Sequence, residues 1–295
     1  MDRGGWMSGL VVVELDQRSV LRIGGAERAS FLQNLISGDV GRVERGLAIW
    51  SALLTPQGKY LADFFLYPDG ETFLLDVETG AAADLMRRLM LYRLRAKVTI
   101  EDISDECRVF ALLGDEAPGA AGLPAQAGAS TPALDGVAAV DPRLAALGVR
   151  LLAPKAPELA GAAAGSLADW DRLRLLHGVP DGSRDLVAEK TTLLEAGFDE
   201  LGGVDFAKGC YVGQELTARM KYRGLLKKRL FPVEIAGEAP DPGTPLRAGD
   251  SEVGEMRSSA GDLGLALVRL DAADQVLQAG DTRLTVRRPA WLPPG

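Results

Sequence analysis

Three short apolar runs, 47–54, 60–67 and 72–77, are joined only by Thr55-Pro56-Gln57-Gly58 and Pro68-Asp69-Gly70-Glu71, and this arrangement does most to limit the fold. Both connections carry residues suited to tight turns, so the runs read as an antiparallel meander. Upstream, Leu10 to Ile23 holds two apolar runs around the turn-prone Asp16-Gln17-Arg18-Ser19, which predicts a hairpin. Gly25 to Ser37 sets Ala29, Leu32, Leu35 and Ile36 at helical spacing, with Gly38-Asp39 as the stop. Ala82 to Arg95 pairs Leu85 with Leu89 and Met86 with Met90 four residues apart, predicting a second amphipathic helix, and a strand follows from Lys97 to Asp102. Helices and strands interleave without strict βαβ alternation, so the class is α+β.

From Gly114 to Gly136 the composition shifts to alanine, glycine and proline, which predicts a linker or long surface loop. A helix is expected from Leu167 to His177, ended by Gly178 and Pro180. After Lys228 short strands and turns continue to the end, suggesting a small β-barrel or sandwich. Met7-Ser8-Gly9 precede the first strand-like run, which sets the first six residues apart as an extension.

A chain of 295 residues can bury a large core in two or three modules. Its net charge of -8 argues against nonspecific adhesion to nucleic acid or anionic membrane. Two cysteines, Cys107 and Cys210, cannot build a disulfide scaffold, so reduced thiols are expected. Leu10 to Val13 is too short for a signal-peptide core, and no later run approaches about 18 apolar residues. A cytoplasmic location is the expectation.

His177 is the only histidine, which removes zinc fingers, two-histidine metalloprotease motifs and most hydrolase triads. At a predicted helix end it suits an imidazolium meeting the helix dipole rather than catalysis. Neither a dinucleotide fingerprint nor a phosphate loop is present. Two thiols and one imidazole also make a poor permanent host for an iron–sulfur cluster, which requires about four soft ligands. No permanently bound metal is expected, and a cluster held here would need ligands from a partner.

Gly202 to Ala207 lead into Lys208-Gly209-Cys210-Tyr211, after which Gln214 to Tyr222 has helical character. Cys210 is either a small buried hydrophobe or a thiol whose pKa is lowered by a helix N-terminus and by Lys208. Gly209 and Gly213 permit close backbone approach, and Gln214 and Glu215 put an amide and a carboxylate in the first turn, which favours a site. Downstream, Arg219, Lys221, Arg223, Lys227, Lys228 and Arg229 place six cations in eleven residues. They form either a solvated face or an anion site suited to a polyglutamate tail.

These residues are similar to the YgfZ branch of the folate-binding, glycine-cleavage T-protein-like (GcvT-like) family, whose signature Lys-Gly-Cys-Tyr-x-Gly-Gln-Glu stands intact at 208–215. The likeness extends through Leu21-Arg22-Ile23, Phe31-Leu32-Gln33, Leu54 to Lys59, Trp170, Gly178-Val179-Pro180 and Arg219 to Arg229. The resemblance implies a multi-lobed, ring-like fold with antiparallel sheets and a C-terminal β-barrel-like domain. Residues 8–104 would form an N-terminal folate-binding lobe completed by about 166–225, 105–165 a middle lobe, 166–227 the motif segment and 228–295 the C-terminal β domain.

It further implies a folate-binding factor for assembly or repair of iron–sulfur clusters. The reactive candidates are Cys210 and Lys208, and the candidate folate contacts are Trp170, Tyr211, Gln214, Glu215, Arg219 and Arg223. A second family tryptophan falls close to Arg18. The cofactor would be tetrahydrofolate or a derivative, and the partners would be iron–sulfur carrier or client proteins, with a monomeric chain and neither nucleic acid nor membrane. T-proteins, which transfer an aminomethyl carbon to tetrahydrofolate, carry Gly-x-x-x-Asp-Asp after the turn, whereas this chain reads Gly58-Lys59-Tyr60-Leu61-Ala62-Asp63. A tetrahydrofolate-dependent aminomethyltransferase or other one-carbon transferase is therefore the alternative, behind an accessory factor working through Cys210. A lone Asp63 is at least as well suited to accept hydrogen bonds as to act as a base.

Overall fold

The computed structural model describes residues 9–293, which leaves the expected six-residue extension outside the described residues. Two sheets, the first antiparallel and the second mixed, pack face to face, and a closed barrel follows them. The first sheet runs in the order Ile49–Leu54, Tyr60–Asp69, Thr72–Glu78, Arg18–Gly24, Thr99–Asp102, so the meander forms as its turns require. The second runs Ala163–Ala164, Val11–Glu14, Arg108–Leu113, Val149–Ala153, Gly136–Val140, Ser130–Ala133. A parallel pair joins Val11–Glu14 to Ala163–Ala164.

The expected hairpin at Leu10 to Ile23 does not form. Val11–Glu14 pairs with Arg108–Leu113 in the second sheet, while Arg18–Gly24 pairs with Thr72–Glu78 and Thr99–Asp102 in the first. The turn at Asp16-Gln17 therefore carries the chain from one sheet to the other. Six of the seven residues from Arg18 to Gly24 are buried, and such a strand hides its backbone best between two neighbours.

Four layers result. Helix Thr79–Arg93 covers the outer face of the first sheet through Ala82, Leu85 and Leu89. The outer face of the second is covered by the segment read as a linker. Far from being loose, it forms helix Ala117–Ala120 and strand Ser130–Ala133, with Ala117, Ala121, Leu123 and Ala129 buried on Phe110, Leu112, Val140 and Leu151. Its small side chains let the backbone lie close to the sheet, a packing that composition alone hides. The helix expected from Gly25 to Ser37 is confined to Arg28–Gln33, with Leu35 and Ile36 buried beyond its end.

Between the sheets lies a shared core of Val20, Phe65, Tyr67 and Leu74 from one side and Val13, Val109, Ala139 and Leu152 from the other. Helix Leu167–Leu176 plugs one end of this core with Trp170 and Leu173, and Leu175 on its other face meets Leu263 and Leu265 of the barrel. A capping box starts the helix: Ser166 N donates to Asp169 Oδ2 at 2.8 Å, and Asp169 N donates to Ser166 Oγ at 3.4 Å. His177 caps its other end, where burial pushes the imidazole below its ordinary pKa. The expected imidazolium at the helix end gives way to a ring that favours its neutral form.

The barrel comprises Lys228–Ala236, Leu263–Arg269, Ser251–Ala260, Pro245–Ala248, Val276–Ala279 and Thr282–Val286. Phe231, Val233, Met256, Val268, Leu277 and Leu284 fill it, and closure leaves the sheet no open edge.

Candidate functional site

The segment 203–216 is strapped to the loop at 34–38, which itself lies against edge strand Ile49–Leu54 of the first sheet through the bond from Ser37 N to Ala52 O. Asp205 N donates to Ser37 O at 3.0 Å, Ser37 Oγ to Gly203 O at 2.6 Å, and Val212 N to Asn34 O at 3.1 Å. Lys208 supplies the strongest clasp, its Nζ donating to Ile36 O at 2.8 Å and Gly38 O at 2.6 Å. Burial pulls this ammonium down to about 8 despite the nearby Asp39 and Asp205 carboxylates. Its hydrogens point at backbone carbonyls, so Lys208 holds the loop in place.

Gly213 then takes φ +81° and caps helix Gln214–Tyr222. A Cβ there would stand 2.4 Å from Thr55 O, and one on Gly58 would stand 2.6 Å from Leu216 Cβ. The turn of the meander and the start of the motif helix thus touch backbone to backbone, which requires glycine on both sides. Tyr211 N donates to Gln214 Oε1 at 3.2 Å, closing the loop before the helix, and burial pushes the Tyr211 phenol up to about 12.

Cys210 sits in the middle of this clamped loop and is exposed, as is Gly209. Tyr211 is buried on one side of it, and Glu215 is exposed in the first helical turn. Arg219 and Arg223 are exposed farther along, but the basic run is partly neutralised: Lys221 Nζ lies 2.8 Å from Asp199 and Arg229 Nη2 lies 2.6 Å from Glu200. The sequence brings these acids from outside the run. Of the eight candidate residues, seven belong to this one loop and helix. Trp170 lies apart, in the core between the sheets.

Around Trp170 is a cluster that the sequence reading missed. Asp76, fully buried, receives Arg18 Nε at 2.5 Å and Arg150 Nη2 at 2.6 Å. Asp141 receives Arg143 Nη2 at 2.8 Å, and Arg150 Nη1 lies 3.7 Å away. The Arg143 and Arg150 guanidinium carbons lie 4.7 and 4.0 Å from the Phe65 ring centre and 5.9 and 5.6 Å from that of Trp170. Burial works to raise the Asp76 carboxyl, but Arg150 and Arg18 hold it below its ordinary value. The available signal was one charge in an otherwise apolar strand, as in Leu75-Asp76-Val77 and Val149-Arg150-Leu151.

Asp63 is an acceptor. Trp50 Nε1 donates to it at 2.8 Å and Tyr60 Oη at 2.7 Å, while Phe198 stacks on Trp50 with ring centres 3.7 Å apart. Burial raises its carboxyl above the ordinary range. Trp170 and Asp63, which the resemblance would set beside folate, are thus 1% and 4% exposed within filled structure. Three surface grooves, of about 530, 720 and 440 Å³, are lined by none of the eight candidate residues. The interior residues do not fit a folate at that position. Among the described residues, no three His, Cys, Asp or Glu side chains are grouped to hold a metal ion.

The description of the CAF17 C-terminal β-barrel domain matches residues 227–294, and that of the GCVT N-terminal domain matches 7–122. Over 276 residues the chain is 38% identical to the human mitochondrial iron–sulfur cluster assembly factor IBA57, a match covering 86% of this chain and 76% of that protein. The chain belongs to the IBA57 family. The mouse IBA57 protein is 33% identical over 279 residues, covering 86% and 76% of the two chains. The Neosartorya fischeri homologue is 30% identical over 321 residues, covering 90% and 72%. The glycine cleavage system aminomethyltransferase T of Bartonella henselae superposes with a TM-score of 0.78 over 97% of this chain and 87% of that chain, at 15% identity, which is a likeness of fold.

The GcvT-like family read from Lys208 to Glu215 is thereby shown, with IBA57 rather than specifically YgfZ as the named relative. The expected cytoplasmic location is corrected, because these IBA57 relatives are mitochondrial. Short apolar runs and few cysteines speak to membrane spans and redox state, and they cannot separate compartments of similar chemistry.

Proposed function

We propose that this chain serves iron–sulfur cluster assembly by presenting the Cys210 sulfur as one ligand to a cluster whose remaining ligands come from a partner protein. The observation that carries this reading is an exposed thiol inside a loop whose neighbours are fixed by Lys208, Val212 and Gly213. A site held on rigid backbone spends little ordering entropy when a partner docks. On binding iron the thiol gives up its proton, and the thiolate donates its electron pair to the metal.

Cys107 is a poor substitute. It is half-buried, and burial pushes its thiol up to about 11. The relatives named as iron–sulfur cluster assembly factors support the cluster role, and the intact signature at 208–215 supports Cys210 as its working atom. Aminomethyl transfer gains no support, since Asp63 is committed to Trp50 and Tyr60 and has Ala62 where a second carboxylate would stand.

The experiment is reconstitution. Mixed anaerobically with a [2Fe–2S]-loaded carrier protein, the wild-type chain should change the visible circular dichroism of the cluster, and Cys210→Ser should not. A change equally large in Cys210→Ser would refute the assignment.

A further inference from the structure

We propose that the interior position beside Trp170 and Asp63, where the family resemblance sets folate, is occupied in this chain by its own charge cluster, so that no folate binds there. The proposal is independent of the role given to Cys210.

Three observations carry it. The first is volume. A folate-sized ligand needs a pocket of a few hundred Å³, yet Trp50, Tyr67, Asp76 and Asp141 are 0% exposed, Trp170 1% and Arg150 2%. The packing beside Asp63 is tight as well: a single Cβ on Gly203 would stand 2.5 Å from the Phe198 ring and 2.6 Å from that of Trp50.

The second is hydrogen-bonding capacity. A pterin ring presents donors that want a carboxylate, and its glutamate wants cations. Asp63 already accepts from Trp50 and Tyr60, and Asp76 accepts from Arg18 and Arg150. Arg143 is spent on Asp141 and on Pro180 O, at 2.8 and 2.9 Å. None of the side-chain nitrogens and oxygens of Arg18, Tyr67, Asp76, Asp141, Arg143 or Arg150 is among the buried polar atoms left without a partner. A cradle awaiting a ligand leaves such atoms over, and this one does not.

The third is connectivity. The cluster joins the two sheets, since Arg18 and Asp76 belong to the first and Arg150 to the second. Admitting a ligand means separating Arg150 from Asp76 and exposing both to an unpaired interior, where a lone charge is strongly disfavoured. The fold has thus turned a ligand position into an inter-sheet fastening.

The test is an anaerobic titration of the full chain with tetrahydrofolate and with 5-formyltetrahydrofolate, read by equilibrium dialysis, tryptophan fluorescence and thermal unfolding. The expected result is no saturable retention and no rise in Tm at up to about 1 mM ligand. Weak retention that is lost in the double variant Arg219→Ala, Arg223→Ala but unchanged in Trp170→Phe also agrees with a closed interior, since those arginines are exposed on the motif helix. One-to-one binding in the micromolar range that weakens at least about tenfold in Trp170→Phe, with native circular dichroism retained, overturns the proposal. Should Trp170→Phe fail to fold, Trp50→Phe probes the same position through its bond to Asp63.

Discussion

The Cβ direction of Gly213 points at Gly58, whose Cα would lie 3.1 Å from an added methyl, and both residues have positive φ, +81° and +82°. Two sequence motifs far apart in the chain, the turn Thr55-Pro56-Gln57-Gly58 and the signature around Cys210, are therefore one structural unit.

Gly213→Ala should be costly for that reason. The left-handed φ alone costs on the order of 1–3 kcal/mol, and the methyl would also overlap Thr55 O. Thermal unfolding should register a lowered Tm, and cluster function should fall with it. Gly209→Ala is the control: apart from its own chain neighbours, no atom lies within 4 Å of its would-be Cβ, and stability should stay near wild type.

Breaking the inter-sheet cluster should be the most damaging single change in the core. Arg150→Met leaves Asp76 with Arg18 as its only cation, at a cost of roughly 3–5 kcal/mol. The loss should depend on pH in a defined sense. Asp76 is held below its ordinary value, so its contribution is present above the unfolded-state value of 3.8 and disappears as pH falls through the lower folded value. The variant should begin to lose stability at a higher pH than wild type, measured by urea unfolding from pH 7 down to pH 3.

Lys208 acts in the same sense at the alkaline end of the pH range. Its folded pKa of about 8 lies below the ordinary 10.5, so between these values the folded chain binds fewer protons than the unfolded one. This group therefore adds stability as pH rises from about 8 to 10.5 and adds no slope below that window. The difference in Tm between wild type and Lys208→Met should shift in favour of wild type across the window, and a flat difference would show that the ammonium is not buried as described. Below the window Lys208→Met also leaves Ile36 O and Gly38 O without their donor, so the loop carrying Cys210 should loosen in hydrogen exchange.

Much of the architecture was legible because local chemistry and tertiary context agree. The meander over 47–77 and the helix Gln214–Tyr222 have turn residues and periodicity that point one way. Where they disagree, context wins. Arg18–Gly24 looked like half of a hairpin and is a central strand, and the alanine-rich stretch after Gly114 looked like a linker and forms a packed layer. Cys210 stands in a signature the sequence displays, and the structure adds that it is exposed in the clamped loop. Arg150 and Asp76 were not legible, because each is a lone charge in an apolar strand and only folding brings them within 2.6 Å.

We propose Cys210 as the atom through which this chain acts. The decisive experiment is complementation of a strain lacking the gene, scored by the activity of a [4Fe–4S] client enzyme. Cys210→Ser should accumulate as folded protein with wild-type Tm, since the side chain is exposed, and should restore no more client activity than an empty vector. Full restoration by folded Cys210→Ser would contradict the account.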